Sequence, residues 1–145
     1  MKTIFMGTPE VAVPVLSALI DAKHEVIGVY TRPDRPTGRK MLVKPSPVKE
    51  FSSKFGLQIF QPESLNDKVV IAQIKDLSPT IIVVAAYGLF LPSEILEIPP
   101  LGCLNIHPSI LPKYRGPSPV QTTILKGENI TGVTIMELDD GMDSG

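Results

Sequence analysis

Short apolar runs alternate with amphipathic stretches along nearly the whole chain, and the two periods involved, near two and near 3.6, predict strands and helices in turn. Residues 3–6 form a first apolar run that ends at Gly7-Thr8-Pro9, a strand-to-helix turn. Thr8 suits the N-cap there, Pro9 the first helical position and Glu10 the positive end of the helix dipole. Val11, Val15, Leu16 and Leu19 then keep helical spacing, with Pro14 delaying or bending the helix. Further strands are predicted at 25–30, 57–60, 80–86, 101–106 and 132–138, and helices at 48–55, 68–77 and 118–126. The run 80–86 is continuously apolar and β-branched, as strands covered on both faces are. This order predicts an α/β fold: a doubly wound, mainly parallel, Rossmann-like sheet with right-handed crossovers, whose ligands bind beyond the carboxyl ends of the strands. Residues 31–47, with four prolines and a glycine among basic side chains, oppose both regular structures and are predicted as a long loop.

At 145 residues, 43% of them hydrophobic, the chain can bury one core, and no run approaches the roughly 18 to 20 apolar residues of a bilayer span. The start is not a signal peptide, and the single cysteine, Cys103, cannot close an internal disulfide. Both suit a soluble, cytoplasmic protein. Cys103 reads as a small buried hydrophobe. Charge changes the picture more. Between Arg32 and Lys49 six basic residues (Arg32, Arg35, Arg39, Lys40, Lys44, Lys49) face one acid, Asp34, a local excess of five in a chain whose total is −1. Such a strip fits either a solvated loop or a polyanion-facing surface.

Familiar cofactor signatures are missing. The Gly7 turn lacks the rest of G-x-G-x-x-G and reads as a structural turn, and no Walker sequence occurs. The two histidines, His24 and His107, lie far apart, so metal ligation is not expected. His24 falls at a helix-to-strand turn and reads as solvated. The informative stretch is Asn105-Ile106-His107-Pro108-Ser109-Ile110-Leu111-Pro112 at a strand's carboxyl end. Residues two apart in a strand share a side, so an amide and an imidazole project together, a pairing suited to an oxyanion and a moving proton. A satisfied structural pair fits the spacing equally. Asp139, Asp140 and Asp143 follow the last predicted strand. Strand ends of a parallel sheet converge, so Asp143 could reach His107, orient it and favour its cation; a solvated acidic turn is the alternative.

Taken together, the residues resemble the methionyl-tRNA formyltransferase family over nearly the whole chain. The pieces that carry the likeness are 5–10 (FMGTPE), 32–39 (RPDRPTGR), 45–49 (PSPVK), 85–92 (AAYGLFLP), 105–112 (NIHPSILP), 113–116 (KYRG) and 131–136 (TGVTIM). The resemblance implies 10-formyltetrahydrofolate as formyl donor and the α-amino group of methionine on initiator tRNA as acceptor, for translation initiation. It implies Asn105, His107 and Asp143 as catalytic residues, with no metal. It further implies folate contacts at Ser109, Ile110, Leu111 and Pro112, and at Tyr87, Gly88, Leu89, Phe90 and Leu91 around the pterin. Arg39 falls where the family's tRNA-facing loop keeps an arginine, and Arg35 and Lys40 share the strip.

The chain departs from the family pattern in two places. Many members carry glycine where this chain has Lys40. In the family the chain also continues past Asp143 through the rest of the catalytic domain into a C-terminal β-barrel that helps bind tRNA. The expectation is therefore an incomplete catalytic domain, with the barrel absent and little or no activity as it stands, from a full-length protein expected to be monomeric. The rivals are a related folate-dependent formyltransferase or hydrolase with another acceptor, and a non-catalytic folate-binding fragment; a small acceptor gives no reason for the basic strip.

Overall fold

A computed structural model describes residues 1–145. Six strands form one sheet: β1 (Lys2–Gly7), β2 (Glu25–Tyr30), β5 (Ile59–Phe60), β6 (Ile81–Ala85), β7 (Cys103–His107) and β8 (Thr134–Glu137), in the order β5-β2-β1-β6-β7-β8. All neighbours run parallel except β8, which lies antiparallel on β7. From β1 the chain builds outward through β2 and β5, then crosses back to place β6 on β1's other side. The order therefore reverses between β1 and β6.

Alternation along the central strands gives each face its own core. Ile4 and Met6 of β1 join Ile82 and Val84 of β6 under Ile71 and Ile74 of α3 (Lys68–Leu77) and Ile95 of α4 (Ser93–Leu96). Phe5, Val29, Val83 and Ala85 face the other way, onto Leu16 of α1 (Val13–Asp21) and Val48 of α2 (Pro47–Lys54). Each of these Val, Leu, Ile, Phe and Met side chains is worth about 1.5 to 3 kcal/mol when fully buried, so these two faces carry the fold. Two capped helix starts agree with this packing: Ser46 Oγ accepts from Lys49 N–H at 3.0 Å, and Asp67 Oδ1 from Val69 N–H at 2.9 Å. Pro119 opens α5 (Pro119–Leu125).

Several local expectations need correction. Thr8 is not a helix N-cap, because Glu10–Ala12 is only a 3-10 turn without a side-chain cap and α1 begins at Val13. Its hydroxyl is drawn instead to neighbouring loops. The third predicted strand shrinks to Ile59–Phe60, and α4 has no helical period long enough to announce it. Residues 31–47 are not loop throughout: β3 (Arg35–Thr37) and β4 (Leu42–Lys44) form an antiparallel hairpin in register Arg35↔Lys44, Pro36↔Val43 and Thr37↔Leu42. A two-stranded ribbon is all edge, which is where a strand tolerates a proline.

Candidate active site

The carboxyl ends of β1 and β6 meet at the point where the strand order reverses, the usual ligand crevice of such sheets. Here that point is closed. Gly7 lets β1 approach β6 so closely that a Cβ would lie 2.9 Å from the Ala85 carbonyl. Thr8 Oγ1 donates to the Tyr87 carbonyl at 2.7 Å, and Pro9 has no N–H to offer an anion. The open cleft sits one strand over, between the ends of β6 and β7.

That cleft has a volume of about 430 Å³ and is lined by residues 86–91 after β6, Asn105 and His107 of β7, and Leu138, Asp139, Met142 and Asp143 after β8. The size suits a ring-bearing small molecule, not a macromolecule. Two broader grooves of about 630 and 640 Å³ lie elsewhere, but they hold no imidazole and none of their polar side chains is buried.

His107 is 4% exposed. Its Nε2 lies 2.9 Å from the Tyr114 carbonyl, which can only accept, so Nε2 is the donor and carries hydrogen. Nδ1 faces Asp143 Oδ2 at 3.7 Å, too long for a hydrogen bond but close for a charge. Asp143 Oδ2 in turn accepts the Gly116 N–H at 2.7 Å. The segment 114–116 thus grips both members of the pair. It is held at its other end by Glu128, which accepts from Tyr114 Oη at 2.5 Å and pairs with Lys113 at 3.2 Å. The Tyr114 hydrogen bond, followed by the Lys113 contact, keeps the Glu128 carboxyl below its ordinary range. Asn105 is half-buried beside the imidazole, and its carboxamide bonds no protein group, which leaves both its polar atoms for a ligand.

Residues 1–145 match the family model described as formyl transferase. The chain belongs to the formyl transferase family. It is 51% identical to the methionyl-tRNA formyltransferase of Clostridioides difficile (strain 630) and 54% identical to that of Chloroflexus aggregans (strain MD-66 / DSM 9485), each over 100% of this chain and 47% of the relative. The chain thus spans about half the length of the curated relatives it matches. Among solved structures, phosphoribosylglycinamide formyltransferase from Bacillus halodurans superposes with a TM-score of 0.79 at 22% identity, over 100% of this chain and 75% of that one. A sugar N-formyltransferase from Shewanella sp. FDAARGOS_354 gives 0.65 at 19%, over 100% and 54%. At such identities the two share its fold.

Within this formyl transferase fold, the expected residues fall into three places. Asn105, His107 and Asp143 converge on the cleft, and Tyr87, Gly88, Leu89, Phe90 and Leu91 form one of its walls. Tyr87 also reaches into the core, where burial pushes its hydroxyl up to about 12 against the pull of Arg32, and its Oη has no partner. Ser109, Ile110, Leu111 and Pro112 lie outside the cleft lining: Ser109 Oγ donates to the Lys113 carbonyl at 2.6 Å, and Thr134 Oγ1 joins the Ser109 carbonyl (2.7 Å) to the Leu111 N–H (3.1 Å). Arg35, Arg39 and Lys40 stand exposed on the hairpin, and none of them enters an ion pair. Lys40 fits without strain, because Gly38 and Met41 take the left-handed conformations of this turn, with φ of 74° and 49°. No set of three or more His, Cys, Asp or Glu side chains is grouped to hold a metal.

Sequence reasoning missed the grip of 114–116 on the imidazole and the carboxylate. It also missed Pro117 and Pro119 on the cleft wall. In the sequence the run 113–116 stands out only as part of a likeness, and nothing in its residue types announces that a carbonyl and an amide would carry the contacts.

Proposed function

We propose that this chain carries the formyl-transfer site of an enzyme that moves the formyl group of 10-formyltetrahydrofolate to the α-amino group of methionyl initiator tRNA, in the cytoplasm, for translation initiation. The observation that carries the reading is the meeting of a free amide, a held imidazole and a carboxylate at one cleft too small for the acceptor's polyanion, with unpaired arginines on a separate hairpin. The folate's ring system occupies the cleft against residues 86–91, and Ser109, Ile110, Leu111 and Pro112, in the loop after β7, supply further contacts to the donor. The neutral amine attacks the formyl carbon, forming a C–N bond and a tetrahedral oxyanion. Asn105 and the Nε2–H of His107 donate to that oxygen, the latter turning from the Tyr114 carbonyl. Asp143 holds the imidazole. A proton leaves the amine as N10 receives one, the C–N10 bond breaks, and tetrahydrofolate departs with formylmethionyl-tRNA as the other product. No step calls for a metal. Arg35, Arg39 and Lys40 meet phosphates of the tRNA.

A small phosphorylated acceptor is less well served. The first strand-to-helix turn, where such folds commonly cradle phosphate, has its hydroxyl committed and a proline for its next residue.

The test is formyl transfer by the protein at the length at which cells make it, with methionyl-tRNA and glycinamide ribonucleotide offered separately. Transfer to methionyl-tRNA alone is expected. Losing an oxyanion donor costs roughly 2.7 to 4 kcal/mol in a hydrolase, so His107→Ala and Asn105→Ala should each lower kcat by at least about a hundredfold with folate binding kept. Transfer to the ribonucleotide instead, or full activity in both variants, would overturn the reading.

A further inference from the structure

The hydroxyl of Thr8, which caps no helix, does more than close a turn. Thr8 is half-buried at the end of β1, with three loops around it. Its Oγ1 donates to the carbonyl of Tyr87, on the cleft wall, at 2.7 Å and accepts the N–H of Arg32, where the chain enters the hairpin excursion, at 3.3 Å. Its own carbonyl accepts the N–H of Val48, just after the excursion returns, at 3.3 Å. Thr31 and Ser46 tie entry to return a second time, hydroxyl to hydroxyl, at 2.6 Å. Above the junction the stem of Arg32 lies over Gly88, whose φ is 92° and whose missing Cβ would stand 3.7 Å from Arg32 Cγ. One residue therefore touches both roots of the basic hairpin and the wall of the cleft.

We propose that Thr8 is a positioning residue that fixes the basic hairpin in register with the cleft wall, so that the acceptor's polyanionic body and the formyl donor are held at a set spacing. The proposal rests on the functional reading above. The geometry gives it direction: a single hydroxyl uses its one proton on the wall and a lone pair on the hairpin root, so neither side can shift without breaking a bond to the other. A hydrophobic replacement of the same shape leaves a carbonyl and an amide unpaired at the junction, and both loops must relax.

Thr8→Val removes the hydroxyl and keeps the volume, while Thr8→Ser keeps the hydroxyl. In the protein at its full natural length, Thr8→Val should raise KM for donor and for methionyl-tRNA together, each by about three- to tenfold, the range one hydrogen bond spans, with kcat within about twofold. Thr8→Ser should stay near wild type for all three constants. Unchanged KM values in Thr8→Val, a change confined to one substrate, or equal damage in Thr8→Ser would overturn the proposal. Amide exchange on the unaltered protein decides independently of any variant's folding: the Arg32 N–H should exchange at least about tenfold more slowly than that of Arg39 at the hairpin tip. Equal rates would overturn it. A wild-type protein that formylates no methionyl-tRNA would sink the functional reading alone, and the exchange measurement would still judge the junction.

Discussion

The imidazole of His107 and the carboxylate of Asp34 are both held by groups distant in sequence. Asp34 takes Lys49 Nζ on Oδ2 at 2.9 Å and Gln61 Nε2 on Oδ1 at 2.7 Å. Those two hydrogen bonds, with Lys49 first, hold its carboxyl below the ordinary 3.8. A carboxyl whose folded value is depressed stabilises the fold fully above its unfolded value and loses that contribution as pH falls through the folded one. The window therefore opens below 3.8. The thermal midpoint of wild type is expected to exceed that of Asp34→Asn at about pH 6, with the gap closing as pH drops beneath that value; a gap that stays constant down to acid unfolding would remove Asp34 from the hairpin's support. Burial, seconded by Glu137, pushes the Cys103 thiol up to about 12, which fits a packing role. Of these residue-scale features, the Asn105 and His107 pairing was legible because strand alternation is strict. The Tyr114 contact was not, since it depends on a left-handed residue, φ 56°, that no rule assigns to tyrosine.

At the scale of elements, legibility followed length and burial. The strand Glu25–Tyr30 and the helix Lys68–Leu77 stand where their periods put them, because each turns a continuous apolar face to the core. The hairpin was missed for the opposite reason: Met41, Leu42 and Val43 are exposed, so no core selects its pattern, and its prolines argue locally for loop. Its order comes from its roots at Thr8, Thr31 and Ser46 and from the Asp34–Lys49 pair. A rooted two-stranded arm presents cations at a fixed place, where a loose loop would spend binding energy on becoming ordered. On the proposed function, replacing Arg35, Arg39 and Lys40 together by alanine in the protein at its full natural length should raise KM for methionyl-tRNA roughly tenfold at low salt and leave that for folate unchanged. The salt slope of tRNA binding should become shallower by about 0.7 to 0.9 for each phosphate that the variant no longer neutralises. A triple variant with the wild-type salt slope would show that these side chains meet no phosphate.

The whole molecule is asymmetric about its sheet. The inner strands β1 and β6 are buried on both faces, and their apolar runs announced as much in the sequence. Nothing in residues 132–138 announced that β8 would turn antiparallel, because side-chain alternation is the same in either direction. The two edges differ in kind. β5 is two residues long and half-buried, too short to template another strand. β8 has four residues and no strand on its outer side, where Gly145 lies against the Glu137 carbonyl, and the chain around it leaves large apolar groups in solvent: Ile130 is 80% exposed, Val133 64% and Ile135 66%. Such an edge pairs readily with another copy of itself, and a total charge of −1 supplies little repulsion to prevent it. Prepared as these 145 residues, the protein should therefore show a sedimentation mass that rises with concentration. A lysine at an open edge blunts pairing by forcing a charge against the neighbouring copy, so Ile135→Lys should restore the monomer mass over the same range. Position 135 lies opposite Ile106 on the neighbouring strand and is exposed, on the face away from Asn105, His107 and the buried Met136, so the substitution touches none of those three. A constant monomer mass across roughly a hundredfold range of concentration in the unaltered chain would show that the β8 edge protects itself.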